Sequence, residues 1–262
     1  MTRPERRSTL PPAEAGWAYF FDIDGTLVDI ADSPEAVRVD LELLALLEEL
    51  RRSTGGALAL ISGRAIADID GLFPQFRVPV AGQHGLERRD AAGRLFHHTM
   101  SAERLEWARH HLAEAAARHR GLVLEDKGLS LALHYRRAPR LGGYAHRLAR
   151  NVLARVGAEY CLQNGKRVVE IKPAGKHKGM AVMEFMEEAP FQGRTPVFVG
   201  DDATDEYGFR TVNRMKGHSI KVGPGQTVAR WRLPDVQAVR DWLRARPSAP
   251  ISIDKRAGGA AS

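Results

Sequence analysis

The sequence predicts an α/β protein in which a parallel sheet is interrupted by an inserted α+β segment. Two short apolar runs without alternation, AYFFDI and ALALIS, are separated by a helical segment near the start of the chain, and a similar order returns after residue 190. Continuous apolar runs are typical of parallel strands that helices cover on both faces. The middle of the chain instead carries strands in pairs, which indicates antiparallel hairpins.

The flanking segments show strand and helix in turn. AYFFDI predicts the first strand, and residues 40–50 carry leucines at helical spacing before the stop signals Gly55 and Gly56. ALALIS predicts the second strand. After residue 190, TPVFVG predicts a strand, DEYGFRTVNRM a helix and HSIKV another strand. This order is the pattern of a parallel sheet with crossover helices.

The middle of the chain predicts a separate unit. Five segments predict strands: RLFHHT, LVLEDK, SLALHYR, YCLQ and RVVEIK. Two helical stretches, 102–119 and 140–156, separate them. Asn164-Gly165, between the last two strands, is typical of a hairpin turn. We therefore expect a core domain that is interrupted by an insertion, with a tail at each end of the chain. A deletion confined to the insertion should leave the sheet of the core complete. The expected boundaries are a tail at 1–15, a core at 16–87 and 176–247, an insertion at 88–175, and a tail at 248–262, with both tails disordered.

Composition narrows the class of function. The chain has 262 residues and a formal net charge of +7, which is compatible with an anionic small substrate. Its arginines are scattered, with no basic block and no interleaved aromatics, so nucleic acid is not expected as a partner. The single cysteine, Cys161, reads as a small core residue. No apolar stretch approaches the ~20 residues of a membrane span, so we expect a cytoplasmic protein without a membrane anchor.

Reactive side chains follow three of the predicted strands. The first strand ends in DIDGT (22–26), the second in ISGR (61–64) and the third in GDDATDE (200–206). Ligands of open parallel sheets bind beyond the carboxyl ends of the strands, so these segments should share one site. Carboxylates from separate strand ends need a cation to lie together, and their hard oxygen atoms favour Mg²⁺.

The same pattern suggests phosphoryl transfer. One carboxylate can attack phosphorus while the other exchanges a proton with the leaving group, and Gly25 would allow Asp24 to turn back into the site. Ser62 suits a contact to a phosphate oxygen, although capping a turn or helix is its alternative role. Lys178 starts a predicted helix, whose N-terminus favours anions, and Lys176 is the rival for the same role.

The motifs DIDGT, ISGR, the Lys178-Gly179 helix start and GDDATDE resemble, in that order, the four motifs of the haloacid dehalogenase superfamily. The insertion resembles the type IIB cap of its sugar phosphatases. More narrowly, VAGQHGLERR, LEDKGLSLALHYR, VVEIKPAGKHKG and RTPVFVGDDATDE resemble the trehalose-6-phosphate phosphatases of bacterial type. The resemblance covers about residues 17–245. It implies a Rossmann-like parallel-sheet core with an inserted α+β (type IIB) cap.

The resemblance implies roles in the core. Asp22 would be the nucleophile and a Mg²⁺ ligand, and Asp24 the general acid/base, with its main-chain carbonyl on the metal. Asp201 would be the second carboxylate ligand. Asp202 and Asp205 would support the metal and its waters. The transferring phosphoryl group would be bound by Ser62, Gly63 and Lys178.

The resemblance also implies that the insertion reads the sugar of trehalose 6-phosphate. The residues in the family's recognition positions are Glu125, Lys127, His134, Arg136 and Glu170. Charged partners discriminate sugar hydroxyls well, and the spacing of two residues places each pair on one strand face. A salt-bridge ladder on a solvated sheet face is the alternative reading. Four further candidates lie at the expected hinge: Gln83, His84, Glu87 and Arg88.

Three functions remain open from the sequence. The first is a Mg²⁺-dependent trehalose-6-phosphate phosphatase, and the second is a related phosphatase acting on sucrose phosphate or a mannosyl-phosphoglycerate. The third is a sugar-phosphate sensor without catalysis, which retention of Asp22, Asp24, Lys178 and Asp201 disfavours because a sensor needs no nucleophile. Oligomeric state, regulators and any trehalose-phosphate synthase partner are not readable from the sequence.

Overall fold

The computed structural model describes residues 10–31, 36–97 and 102–245. Two sheets organise this part of the chain, one of eight strands and one of four. The eight-stranded sheet has the order β12-β11-β10-β1-β2-β3-β4-β5 and is parallel from β12 to β3. Its strands are β1 (Trp17–Phe21), β2 (Leu58–Ile61), β3 (Val80–Gly82), β4 (Glu87–Arg89), β5 (Leu95–His97), β10 (Thr195–Gly200), β11 (His218–Val222) and β12 (Trp231–Leu233).

Helices cover both faces of this sheet. Phe21 points to the face packed by α1 (Leu41–Ser53), α2 (Ile66–Leu72) and α7 (Val236–Arg244), and Phe20 points to the face packed by α5 (Lys178–Met186) and α6 (Asp205–Arg214). Because both faces are buried, β1 is apolar along its whole length. The predicted parallel α/β architecture is confirmed.

The second sheet is antiparallel, in the order β6-β7-β9-β8. Its strands are β6 (Val123–Asp126), β7 (Leu131–His134), β8 (Tyr160–Gly165) and β9 (Val168–Pro173). The helices α3 (Ala102–Arg118) and α4 (Gly142–Val156) share an apolar cluster with one face, which includes Leu131, Leu133 and Ile171. The other face is polar, and one row across the four strands reads Glu125, Ala132, Glu170 and Gln163.

The structure differs from the sequence expectation in the hairpin turn. The β8–β9 hairpin forms, but Gly165 pairs with Val168, so the two turn residues are Lys166 and Arg167 rather than Asn164-Gly165. Arg167, the second turn residue, has a left-handed backbone (φ 64°). The shift is two residues, so it preserves which face each side chain occupies.

Two strands lie at the predicted start of the insertion. Strand β4 spans the predicted boundary between residues 87 and 88, β5 follows it, and both pair with the eight-stranded sheet as an antiparallel extension. All strands of the second sheet come from 123–173. Of the two predicted tails, 1–9 and 248–262 lie outside the described residues, whereas Ala13 is buried in the core. The domain boundaries themselves remain a prediction.

Candidate active site

The site forms where β10, β1 and β2 end side by side. Asp22 directly follows β1, is buried, and its backbone N–H still donates to Val199 O (3.0 Å). Ser62 follows β2 and Asp201 follows β10. Adjacent parallel strands have their carboxyl ends at one edge of the sheet, so these three residues follow strand ends that lie side by side, as expected.

Lys178 links the two sides of this edge. It is the first residue of α5, and its buried Nζ lies 2.8 Å from Asp22 Oδ1 and 2.7 Å from Asp205 Oδ1. Asp205, the first residue of α6, accepts the backbone N–H groups of Asp201 (2.8 Å) and Asp202 (2.9 Å) on its other oxygen. Lys176 is turned away and donates to Glu184 instead (2.6 Å). The position that we expected to bind phosphate next to Asp22 is therefore occupied by Lys178.

The electrostatic balance of this cluster is negative. Burial raises the pKa of Asp22 to about 7, with Asp202 and Asp201 adding to the shift and Lys178 opposing it. Burial likewise raises the pKa of Asp201 to about 6 and that of Asp205 to about 8. Burial alone would lower the pKa of Lys178, but Asp205 and Asp22 raise it. One ammonium among several buried carboxylates leaves excess negative charge, which a cation would neutralise.

The residues present fit a divalent cation. Oxygen atoms of Asp22, Asp201 and Asp205 lie within 4.8 Å of one another, the arrangement of a metal site among the described residues. Asp205 already accepts three hydrogen bonds, so the freer oxygens belong to the other two. Asp201 Oδ1 is buried and has no hydrogen-bond partner in the described part of the chain. Asp202 serves its own loop, accepting from Thr204 N (2.7 Å) and Thr204 Oγ1 (2.6 Å).

The turn after Asp22 brings Asp24 back towards the site. Gly25 has a left-handed backbone (φ 80°), and a Cβ atom there would collide with the Asp201 carboxylate. Asp24 accepts a two-pronged ion pair from Arg64, with Nε to Oδ2 at 2.7 Å and the second bond to Oδ1 at 2.6 Å. Sequence reasoning missed this role of Arg64, although the residue closes the ISGR motif.

The phosphate-binding candidates lie in the loop after β2. Ser62 is buried, and its hydroxyl oxygen accepts the Arg64 N–H (3.2 Å), the turn contact that was its alternative role. Its own O–H is still a donor, so the turn contact and a phosphate contact are compatible. Gly63 is required by close packing, because a Cβ atom there would lie 2.8 Å from the His84 ring.

The sugar-binding candidates largely share the polar face of the four-stranded sheet. His134 contacts Glu125 (2.7 Å), Lys127 lies 3.9 Å from Glu170, and Ser130 Oγ donates to Glu170 (2.5 Å). The hydrogen bond with His134 lowers the pKa of Glu125 despite partial burial. These pairs are also the ones that a salt-bridge ladder would form.

Three further residues lie on this face or at its margin. Arg136 lies beyond the end of β7, is exposed, and makes no polar contact within the described residues. Lys172 is buried opposite Cys161, with burial lowering the pKa of Lys172. Cys161 was expected in the core but is only half-buried on the polar face, because its neighbours Tyr160 and Leu162 take the face towards the helices. The alternation along β8 was the signal available in the sequence.

The four hinge candidates divide into two pairs. Glu87 accepts the backbone N–H of Ile66 at the start of α2 (2.7 Å), and Arg88 pairs with Glu184 and Glu188, so both hold the core together. Gln83 and His84 instead reach the inserted segment.

Gln83 Nε2 donates to Lys127 O (2.7 Å), and Gln163 Nε2 donates to His84 Nε2 (3.0 Å). Burial lowers the pKa of His84 well below its usual range, and Lys178, Lys172 and Lys127 add to the effect. His84 therefore lies between the loop that follows β2 and the polar face of the second sheet.

No helix in the described ranges is long and apolar enough to cross a membrane.

The family model described as Trehalose-phosphatase matches residues 20–237. The chain is 45% identical to the trehalose-6-phosphate phosphatase of Escherichia coli (strain K12) over 243 residues, which covers 93% of this chain and 90% of that protein.

Solved structures show the same fold. The C-terminal domain of the C. albicans trehalose-6-phosphate phosphatase superposes with a TM-score of 0.74 at 22% identity, covering 86% of this chain and 89% of that one. A haloacid dehalogenase-like hydrolase from B. subtilis gives a TM-score of 0.60 at 14% identity, covering 87% and 99%. The predicted haloacid dehalogenase fold is confirmed.

Proposed function

Because this chain belongs to the trehalose-phosphatase family, we propose that it hydrolyses trehalose 6-phosphate to trehalose and phosphate in a Mg²⁺-dependent reaction that passes through an aspartyl-phosphate. The observation that carries the mechanism is the buried contact of Lys178 with Asp22 at the end of β1 (2.8 Å). A lysine here holds a carboxylate in its ionised, nucleophilic form and supplies positive charge for a phosphoryl group.

In the first step, a carboxylate oxygen of Asp22 attacks phosphorus. The bond between phosphorus and the sugar oxygen breaks, and its electron pair leaves with that oxygen, which takes a proton from the carboxyl group of Asp24. The Asp22–phosphorus bond then holds the phosphoryl group. Ser62 and Lys178 would donate to the phosphoryl oxygens, because negative charge on them must be matched during transfer.

In the second step, water attacks phosphorus and Asp24, now a carboxylate, takes a proton from it. The bond between Asp22 and phosphorus breaks, which releases inorganic phosphate and restores the Asp22 carboxylate. Before the first step, Asp24 must leave Arg64 and take up a proton from solvent, because the ion pair occupies both oxygens of its carboxylate (2.7 and 2.6 Å). We infer that Arg64 holds Asp24 until substrate enters.

Asp22 and Asp201 would hold Mg²⁺, with the main-chain carbonyl of Asp24 as a further ligand and Asp202 and Asp205 in support. When bound, the ion supplies positive charge that offsets the carboxylates and the substrate phosphate. The pKa values of Asp22 (about 7) and Asp201 (about 6), which burial raises, support this assignment, because a nearby cation favours the ionised form of a buried carboxylate.

We propose that the inserted segment, predicted as 88–175, is the cap that recognises the sugar. Its polar sheet face carries Glu125, Lys127, His134 and Glu170, and contacts near Gln83 and His84 turn that face towards the core. Sugar hydroxyls would replace part of the pairing among these side chains. Arg136 is included in the proposal as an exposed residue at the margin of this face.

The test is a phosphate-release panel of trehalose 6-phosphate, sucrose 6-phosphate and mannosyl-phosphoglycerate, each with Mg²⁺ and with excess chelator. We expect release from trehalose 6-phosphate with Mg²⁺ only. Preference for another sugar phosphate would move the proposal to the related phosphatases, and no release from any substrate would favour a sensor. Full activity in chelator would contradict the role of Mg²⁺.

A further inference from the structure

Two neighbouring residues after β3 have an unusual backbone. Gln83 (φ 47°) and His84 (φ 60°) are both left-handed although neither is glycine. Such residues are uncommon, and a pair in succession persists only when its surroundings hold it in place. An observed strain of this kind is a reason to ask what the two side chains do.

The core holds this pair from below. Gln83 N–H donates to Arg64 O (2.8 Å), and His84 N–H donates to Ser62 O (2.9 Å). The His84 ring also fills the space that a side chain at Gly63 would need. The pair is therefore fixed to the loop that carries the proposed phosphate-binding serine and the arginine that holds Asp24.

The inserted segment meets the pair from above. Gln83 Nε2 donates to Lys127 O at 2.7 Å, and His84 Nε2 accepts from Gln163 Nε2 at 3.0 Å. Gln163 lies opposite Glu170 in the β8–β9 pairing, so the contact belongs to the same polar face as the sugar-binding candidates. Both contacts join segments that are far apart in sequence.

The contact is only half satisfied. Gln83 Oε1 and His84 Nδ1 are buried without a hydrogen-bond partner in the described part of the chain. The free-energy cost of burying these two unpaired atoms offsets part of the stabilisation from the two hydrogen bonds, so the contact can open at little cost in free energy. A contact with those properties suits a joint that must open for a substrate and close on it.

We propose that Gln83 and His84 form a latch that fixes the inserted segment over the phosphate-binding loop, and that they act as positioning residues for sugar-phosphate hydrolysis. Sugar and phosphate sites lie on different segments, so the latch sets whether one molecule can engage both at once. The kinetic part of this proposal rests on the proposed function.

The test removes the partner in the insertion rather than the core. Gln163→Leu removes the amide that contacts His84. Gln75→Leu makes the same change at an exposed position outside the inserted segment and is the matched control. We expect Gln163→Leu to lower kcat/KM for trehalose 6-phosphate about tenfold and to change that for p-nitrophenyl phosphate less than about twofold. The control should change neither. Equal losses on both substrates, or none, would overturn the latch.

A double-mutant cycle adds a check that a merely structural role would not pass. His84→Asn shortens the side chain while tolerating the left-handed backbone. If the two residues act together, His84→Asn combined with Gln163→Leu should lose no more activity on trehalose 6-phosphate than His84→Asn alone. Additive losses would contradict the proposal.

Amide hydrogen exchange decides the case independently of the substrate. Gln163→Leu should speed exchange across residues 83–87 in the core by at least about threefold, because the latch holds that loop. Unchanged exchange would overturn the latch. A wild-type protein that cleaves p-nitrophenyl phosphate but not trehalose 6-phosphate would instead refute the proposed substrate and leave the exchange test valid.

Discussion

Gly25 allows a quantitative test of how the catalytic turn is built. Its backbone is left-handed (φ 80°), and a Cβ atom there would collide with the Asp201 carboxylate. Gly25→Ala therefore adds two costs: about 1–2 kcal/mol for a left-handed alanine, and displacement of a carboxylate that we assign to the metal. Because Asp201 can rotate away, the second cost should appear in activity more than in stability.

Gly93 is the matched control. Its φ is nearly the same (81°), but no atom of the described residues lies within 4 Å of a Cβ atom there. Urea unfolding should show a loss of about 1–2 kcal/mol for each alanine variant. Phosphate release should fall about 100-fold or more for Gly25→Ala, given how sharply catalysis depends on position, and stay near wild type for Gly93→Ala. Equal activities in the two variants would refute this account of the turn.

Three further predictions concern the metal, the cap and Asp24. Burial raises the pKa of Asp22 (about 7), Asp201 (about 6) and Asp205 (about 8) above their unfolded values. In the metal-free folded state these three carboxyls therefore bind more protons than in the unfolded chain, so their contribution to the free energy of unfolding falls as pH rises from about 4 to about 8. His84, whose pKa is lowered by burial, contributes in the opposite direction. Added Mg²⁺ should thus raise the urea midpoint more at pH 8 than at pH 5, and an equal rise at both would contradict this. Glu170→Gln should lower kcat/KM for trehalose 6-phosphate about 100-fold while p-nitrophenyl phosphate changes less than about threefold; parallel losses would mean that Glu170 supports the fold. Arg64→Lys keeps the charge but loses the two-pronged geometry. Because Asp24 must leave Arg64 before it acts, kcat should stay within about threefold of wild type on both substrates while the free energy of unfolding falls by about 1 kcal/mol; a tenfold loss of kcat would mean that Arg64 acts during the chemical steps.

The positions around Asp22 could be predicted because their signals are local. An apolar run that ends in DIDGT is a strand followed by a tight turn, and parallel strands necessarily end at one edge. The same reasoning correctly placed Asp201 after β10 and Lys178 at the start of α5. Topology then brought together residues that are far apart in the sequence.

The remaining features depend on tertiary contacts that leave no local pattern. The Arg64–Asp24 ion pair joins residues that are 40 positions apart. The sequence GQHG contains no local signal that Gln83 and His84 adopt a left-handed backbone. The strand β4 was missed because it consists of three charged residues, ERR, which carry no hydrophobic signal. Its place in the sheet is set by pairing with β3.

The central claim is that Asp22 is the nucleophile of a trehalose-6-phosphate phosphatase, and phosphate release by Asp22→Asn tests it most directly. The amide has nearly the same shape but cannot attack phosphorus, so the variant should fold while its kcat on trehalose 6-phosphate with Mg²⁺ falls at least about 1,000-fold below wild type. A thermal unfolding curve and circular dichroism spectrum like those of the wild type would show that the fold is intact. Undiminished phosphate release from the folded variant would contradict the account.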